Sequence, residues 1–279
     1  EPTASYWDCA EYIATAAKLQ VGHPPGAPLF QMLGAFFFLF LSSAEQVALT
    51  LNFMSVFSRA LTLSFMFWTL TMLLRKLPIF KKIETSQEAF LFFGSAATGV
   101  LAYCFSDSFW FNAVEAEVYA MATFLLSLLF WLGLRWEEDM LNPRGDRWLV
   151  MIAFVIGLSF GVHFMGLLTL PAIGMLYYFK RYQKITLKGF LIANTVSVAV
   201  LLFIFKLLLP TTLAFFGKAE VYFVNTIGLP FNSGTVIATF ALIALFYNAL
   251  KVTRKQGWVK VNTALLCILF VLVGFSSWL

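Results

Sequence analysis

Near the start of the chain, in YWDCAEYIATAAKLQVGHPPGAP (residues 6–28), Asp8 and Glu11 stand three residues apart and His23 precedes Pro-Pro-Gly. On a helix, positions i and i+3 share a face, here with Tyr12 and Thr15 beside them. Two carboxylates held together can accept a proton as a general base or ligate a divalent metal ion. A plainer role fits the same letters. Ser5-x-x-Asp8 has the form of a capping box, in which Asp8 would only help to start a helix. Pro24 and Pro25 impose turn or extended geometry, and Gly26 relieves the chain after them. They fix His23 at the end of that helix, where it can meet a phosphate or serve its own loop.

A second group follows in SDSFWFNAVEAEVYAMATF (residues 106–124). At helical spacing Asn112, Glu115 and Tyr119 fall on one face, and Glu117 points elsewhere. Carboxylates at the mouth of a membrane span are costly unless solvated or paired. A solvated helix start is the competing reading. His163 lies in the otherwise apolar GLSFGVHFMGLLTLP (residues 157–171), either as a site residue or as a hydrogen-bonded structural one. Arg59 falls midway along a long apolar run. It cannot easily snorkel, so it should face the bundle interior beside an acid or a lipid phosphate. The chain holds no Walker A loop, no HExxH and no CxxC. Cys9, Cys104 and Cys267 are scattered and odd in number, which indicates neither a disulfide framework nor a zinc site.

The elements that position these residues are membrane helices. Of 279 residues 61% are hydrophobic, 33 are Phe and only 12% are charged. Soluble domains carry about 25% charged residues. The net charge of +5 is therefore no nucleic-acid signal. Fifteen of the 19 Lys and Arg cluster in four loops, at 75–82, 135–147, 180–188 and 251–260. The positive-inside rule assigns all four loops to the cytoplasm. Residues 1–28, 106–117, a turn near 163 and 210–234 then lie outside, and both histidines and most candidate acids fall on that face. The apolar runs predict eight crossings, at 46–74, 89–106, 117–134, 147–162, 164–180, 188–209, 234–250 and 260–279. The run 29–41 is too short to span and reads as a juxtamembrane or re-entrant helix. The whole of 1–279 reads as one all-α, polytopic transmembrane helical bundle. The chain starts at Glu1 and stops within FVLVGFSSWL, so the expectation is a segment of a longer protein. A first span before residue 1 and any C-terminal soluble domain would lie outside it.

Taken together, EPTASYWDCAEYIATAAKLQVGHPPGAPLFQMLG resembles the opening of bacterial membrane proteins related to protein O-mannosyltransferases of the GT-C superfamily. The specific part is Asp-x-x-Glu followed by His-Pro-Pro-Gly. NAVEAEVYA and GLSFGVHFMGLLTLPA match two further blocks in the same order, so the resemblance covers residues 1 to about 234. It implies a GT-C-like bundle with juxtamembrane helices in the first outer loop. It implies an inverting glycosyltransferase that moves a sugar, mannose in the family, from a polyprenyl-phosphate donor to Ser or Thr hydroxyls of exported proteins. Asp8 maps to the essential acid with Glu11 as its partner. Glu115 and Glu117 map to the second acidic block and His163 to the histidine block.

In that scheme Asp8 takes the acceptor proton, and Glu11 or Glu115 orients the acceptor or helps bind a divalent cation, the one cofactor suggested. The donor phosphate meets His23, His163 or Arg59. Asn112, Glu117 and Tyr119 complete the donor and acceptor surface. The partners are the lipid bilayer, the lipid-linked sugar and the acceptor protein, with no nucleic acid. The setting is a bacterial inner membrane with a periplasmic active face. A lipid or sugar-lipid flippase would instead show internal repeats and polar residues near the midplane. A non-catalytic membrane scaffold would tolerate loss of Asp8.

Overall fold

The structure, a computed structural model, describes residue 4, residues 6–41 and residues 43–279. Ser5, the first letter of the capping-box pattern, lies outside the described residues. Every regular element among them is helical. The α-helices are α1 (Cys9–Lys18), α2 (Pro28–Phe38), α3 (Val47–Leu74), α4 (Ser86–Cys104), α5 (Asp107–Ala113), α6 (Val118–Asp139), α7 (Asp146–Phe160), α8 (Thr169–Arg181), α9 (Leu187–Leu202), α10 (Leu209–Val221), α11 (Ser233–Lys255) and α12 (Val259–Gly274). Five helical stretches are long and apolar enough to cross a bilayer: Ala44–Leu74, Val118–Asp139, Leu187–Thr226, Ser233–Lys255 and Val259–Trp278. α4 and α5, bent by 70°, make a sixth if they count as one span.

Eight crossings were expected; α4 counts only with α5, and the remaining differences from that scheme have two sources, of which the first alone lowers the count. The 148–179 run does break where the glycines predict, between α7 and a 3₁₀ turn at Phe164–Leu168. Its two halves are short, however. α7 has 15 residues and α8 has 13. At 1.5 Å per residue they rise about 22 and 20 Å, against a hydrocarbon core of about 30 Å. The second source is at 210–234, expected as an outer loop. Helix continues instead through a 40-residue stretch to Thr226. Pro210 would ordinarily stop a helix, because proline lacks an N–H and collides with the preceding turn. A π-helical stretch at Phe203–Leu208 widens that turn and lets the helix pass. Glu220, expected among the outer-face acids, has a structural task. It accepts from Asn232 N at 2.6 Å and from Thr235 N at 2.9 Å, satisfying the start of α11.

The chain forms two compact units, Glu1–Arg135 with Ser159–Gly166 and Trp136–Leu158 with Leu167–Leu279. In the first, α2 is a short helix packed on α1 and α3, as a juxtamembrane element should be. Pro28 begins it, a position where the missing N–H costs nothing. The next two amides, of Leu29 and Phe30, donate to the Gly161 carbonyl at 2.8 and 3.3 Å. Phe30 is fully buried, and the Gln31 amide donates to Thr15 Oγ1 at 2.8 Å. α2 therefore fixes α1 at its back.

In the second unit α7 and α12 touch through glycines. A Cβ on Gly157 would overlap the Val271 carbonyl oxygen, and one on Gly274 would overlap the Phe154 carbonyl oxygen. Small residues allow this approach in membrane helix pairs. Gly157→Ala should destabilise by about 1–3 kcal/mol, the usual cost of overpacking. Thermal unfolding in detergent micelles should show a lowered Tm, and an unchanged Tm would contradict the close crossing.

Candidate active site

α1 starts one residue after Asp8. Asp8 occupies the N-cap position, yet its side chain makes no capping hydrogen bond. It stays about half exposed, with Oδ2 3.6 Å from His23 Nε2. Trp7, just before it, has φ 59°. That left-handed region costs a non-glycine residue about 1–2 kcal/mol, and here the strain adjoins a candidate reactive group.

At the other end of α1, Leu19 turns left-handed and Gln20 N donates to Thr15 O at 2.8 Å, which sends the chain back along the helix. His23 then returns to Glu11. Its backbone N–H donates to Glu11 Oε1 at 2.6 Å, and its ring Nδ1 lies 2.9 Å from Glu11 Oε2. Both ring nitrogens thus face carboxylates. Tyr12 packs edge-on against Phe30 and tilts against the His23 ring.

Beneath this exposed layer lies a buried one. Glu115 and Glu117 are each only 5% exposed. Cys9 Sγ lies 3.7 Å from Glu117 Oε1, and the Asp8 backbone N–H also donates to the Glu117 carboxylate. Arg59 of α3 is buried with its guanidinium 4.5 Å above the Phe109 ring of α5. It hydrogen-bonds Tyr103 and feels the charge of Glu115.

The environments separate the acids. The His23 amide and ring hold the Glu11 carboxyl below its ordinary range. Burial, then the charge of Asp8, pushes the Glu117 carboxyl up. Burial and the nearby Glu117 and Glu115 push the Cys9 thiol up to about 12, so it is no nucleophile at neutral pH. Glu11 raises the His23 imidazole above its ordinary value.

Asn112, Glu115 and Tyr119 do not share one helical face, because α5 ends at Ala113 and α6 begins at Val118. The non-helical residues between them turn Glu115 and Glu117 inward. The Asn112 amide bonds back to Ser108 O at 3.0 Å within its own helix. Tyr119 is exposed, with its ring 5.6 Å from that of His163. His163 Nδ1 accepts from Met165 N at 3.2 Å, and its ring stacks on Phe164. Burial lowers its pKa, so it sits neutral in its turn. Sequence reasoning set Cys9 aside and did not pair Tyr103 or Phe109 with Arg59. The signal available was the arginine itself, since a mid-span guanidinium needs a nearby acceptor or ring.

Ligand atoms of Asp8, Glu11 and His23 lie within 4.8 Å of one another, close enough to share a metal ion. Two carboxylates and one imidazole suit a hard divalent cation such as Mg²⁺ or Mn²⁺. The ion would have to displace the proton that His23 shares with Glu11.

Residues 8–186 match the family described as Protein O-mannosyl-transferase TMEM260 N-terminal domain. The chain belongs to that family. Asp8 opens the TMEM260 match, and Glu11, His23, Arg59, Asn112, Glu115, Glu117, Tyr119 and His163 all fall inside it. The Protein O-mannosyl-transferase TMEM260 of Mus musculus is 30% identical over 155 residues, covering 54% of this chain and 19% of its own. The Protein O-mannosyl-transferase tmem260 of Dictyostelium discoideum is 26% identical over 309 residues, covering 99% of this chain and 35% of its own. The chain therefore spans about a fifth to a third of the length of these TMEM260 relatives. No solved structure matches it.

The Glu11–His23 pair sets a pH window. Glu11 contributes stability above its ordinary 4.5 and loses it as pH falls through its lowered folded value. His23 contributes fully below its ordinary 6.5 and loses it as pH rises through its raised folded value. The clamp is therefore complete between pH 4.5 and 6.5 and weakens above. Ring-proton NMR of the two histidines should give a midpoint above 6.5 for His23 and below 6.5 for His163. Glu11→Gln should bring the His23 midpoint down, and a wild-type His23 midpoint at or below 6.5 would refute the clamp.

Proposed function

We propose that this chain is the catalytic membrane portion of an inverting GT-C glycosyltransferase that mannosylates proteins from a polyprenyl-phosphate sugar. Membership of a family named for protein O-mannosyl-transfer supports the reaction class. One observation carries the assignment of the base. Asp8 stands at an N-cap without capping, half exposed, beside an imidazole anchored by Glu11. A purely structural Asp8 would accept a backbone amide from the first turn of α1.

In this reading the hydroxyl oxygen of an acceptor Ser or Thr attacks the anomeric carbon while Asp8 takes its proton. The bond from that carbon to the phosphate oxygen breaks, configuration inverts, and polyprenyl phosphate leaves. The His23 imidazolium faces the departing charge. Its Nε2 is 3.6 Å from Asp8, beyond hydrogen-bond length, and so remains a donor for phosphate. Arg59 and Glu115 form a buried floor that keeps Glu117 and α1 in register. A divalent cation held by Asp8, Glu11 and His23 would take the place of the His23 proton and supply positive charge there in its stead.

The reaction belongs on the face opposite the basic loops, periplasmic in a bacterial inner membrane. Lipid-linked sugar reaches that surface within the bilayer, whereas sugar nucleotides are cytoplasmic. The apolar tail would be held by burial worth about 0.8 kcal/mol per CH₂.

Asp8→Asn tests the base, because Asn caps a helix as well as Asp but cannot take the proton. The full-length variant should express and unfold like wild type, with turnover reduced about 10²–10⁴-fold on polyprenyl-phosphate mannose and an acceptor peptide. Retained turnover removes Asp8 from the chemistry. Protein freed of endogenous lipid-linked sugar should transfer from polyprenyl-phosphate mannose and not from a sugar nucleotide. Efficient transfer from the nucleotide alone would overturn the donor assignment.

A further inference from the structure

A cavity of about 730 Å³ lies wholly within the second unit, and no residue of the acid cluster lines it. Its size is that of a ligand site, roughly 300–1,000 Å³. α8 and α9 form its long walls, with Trp136 and Leu149 beside them. Where the two helices are joined, the lining is Lys184, Lys188, Tyr177 and Tyr182. Farther along the pair it is Leu170, Ile173, Ile192, Val196 and Val200.

Three features show that the slot is built rather than incidental. First, the helices touch closely. A Cβ on Gly174 would overlap Ser197 Oγ, so that pair brings α8 and α9 together. Second, the joining loop is held. The Tyr178 hydroxyl donates to Thr186 O at 3.2 Å and accepts from Thr186 N at 3.1 Å. Third, the cations at this end are divided. Lys180 is paired with Glu137 at 3.2 Å, whereas Lys184 and Lys188 have no acid partner among the described residues.

The dimensions and polarity match one kind of occupant. Lys188 to Val200 covers twelve residues, about 18 Å of helix. That is close to one leaflet, about half of a 30 Å hydrocarbon core. Tyrosines at one end suit the headgroup level. Two unpaired ammonium groups there suit a phosphate, and basic pockets between membrane helices hold anionic headgroups. A soluble phosphate would leave the apolar slot unfilled. A zwitterionic lipid would leave the lysines poorly matched.

We propose that this cavity binds one anionic glycerophospholipid, with its phosphate at Lys184 and Lys188 and one acyl chain along the α8–α9 slot. The basic stretch that carries both lysines puts this lipid in the cytoplasmic leaflet under the charge rule. It is an accessory lipid, not the sugar donor, and it does not depend on the proposed reaction.

The test is native mass spectrometry of the full-length protein, delipidated in detergent and given phosphatidylglycerol, phosphatidylcholine or polyprenyl phosphate at equal concentration. One phosphatidylglycerol per chain should be retained about tenfold or more over phosphatidylcholine, as two surface-level lysines imply. The double variant Lys184→Gln with Lys188→Gln should lose that preference without losing its fold. Ala193→Phe, which fills the slot, should abolish retention of either phospholipid. Equal retention of the two phospholipids, a preference that survives the double lysine change, or polyprenyl phosphate retention that falls with the double lysine change would each overturn the proposal. Lys184 in the loop and Lys188 in the first turn of α9 are both exposed, so the lysine variant decides the matter even if Ala193→Phe fails to fold.

Discussion

The double hydrogen bond from His23 to Glu11 holds the reactive stretch in shape. Residues 19–27 form no helix, and two features turn them back along α1. One is the left-handed Leu19, and the other is the pair of Glu11 oxygens that receive the His23 amide and ring. Charge-assisted bonds of this kind are shorter and about twice as strong as neutral ones. Without them the chain between α1 and α2 would lose its register. The Gln31–Thr15 bond and the burial of Phe30 would then have to hold the two helices alone.

The floor beneath the clamp is polar as well. Burial disfavours an ionised Glu117, and the charges of Asp8 above it and Glu115 within the same layer add to that cost, so the carboxyl shifts upward. The Asp8 amide and the Cys9 thiol soften the penalty. Arg59, set against the Phe109 ring and Tyr103, supplies positive charge from the neighbouring span. Each layer is thus tuned by the one next to it, and a change at Glu117 should be felt at Asp8 both through its charge and through its backbone N–H.

Much of this was legible in the letters. Asp8, Glu11 and His23 could be grouped because a helix face and a proline-fixed loop leave few alternatives at such short range. The short apolar run before α3 could not span a bilayer and folded as a juxtamembrane helix. What was not legible depended on longer-range pairing. The helical spacing from Asn112 to Tyr119 gave no hint that residues 114–117 would break the helix and turn two acids inward. The passage of the helix through Pro210 was not legible, because the π-helical turn that accommodates it has no sequence signature of its own. The role of Glu220 was hidden because capping from twelve residues away cannot be read from spacing.

The same layering distinguishes the three acids as bases. Glu11 has both oxygens engaged by His23 and its carboxyl is held low, which makes it a weak proton acceptor. Glu117 is the more basic group but is buried under Cys9, out of reach of a hydroxyl carried on a polypeptide. Asp8 makes no cap, keeps about half its side chain open, and has Oδ2 3.6 Å from His23 Nε2, beyond hydrogen-bond length. A general base must reach the proton it takes before its basicity matters. On reach alone Asp8 is the acid that an acceptor from outside can meet. The other two then serve it, Glu11 by anchoring the imidazole and Glu117 by holding the amide that starts α1.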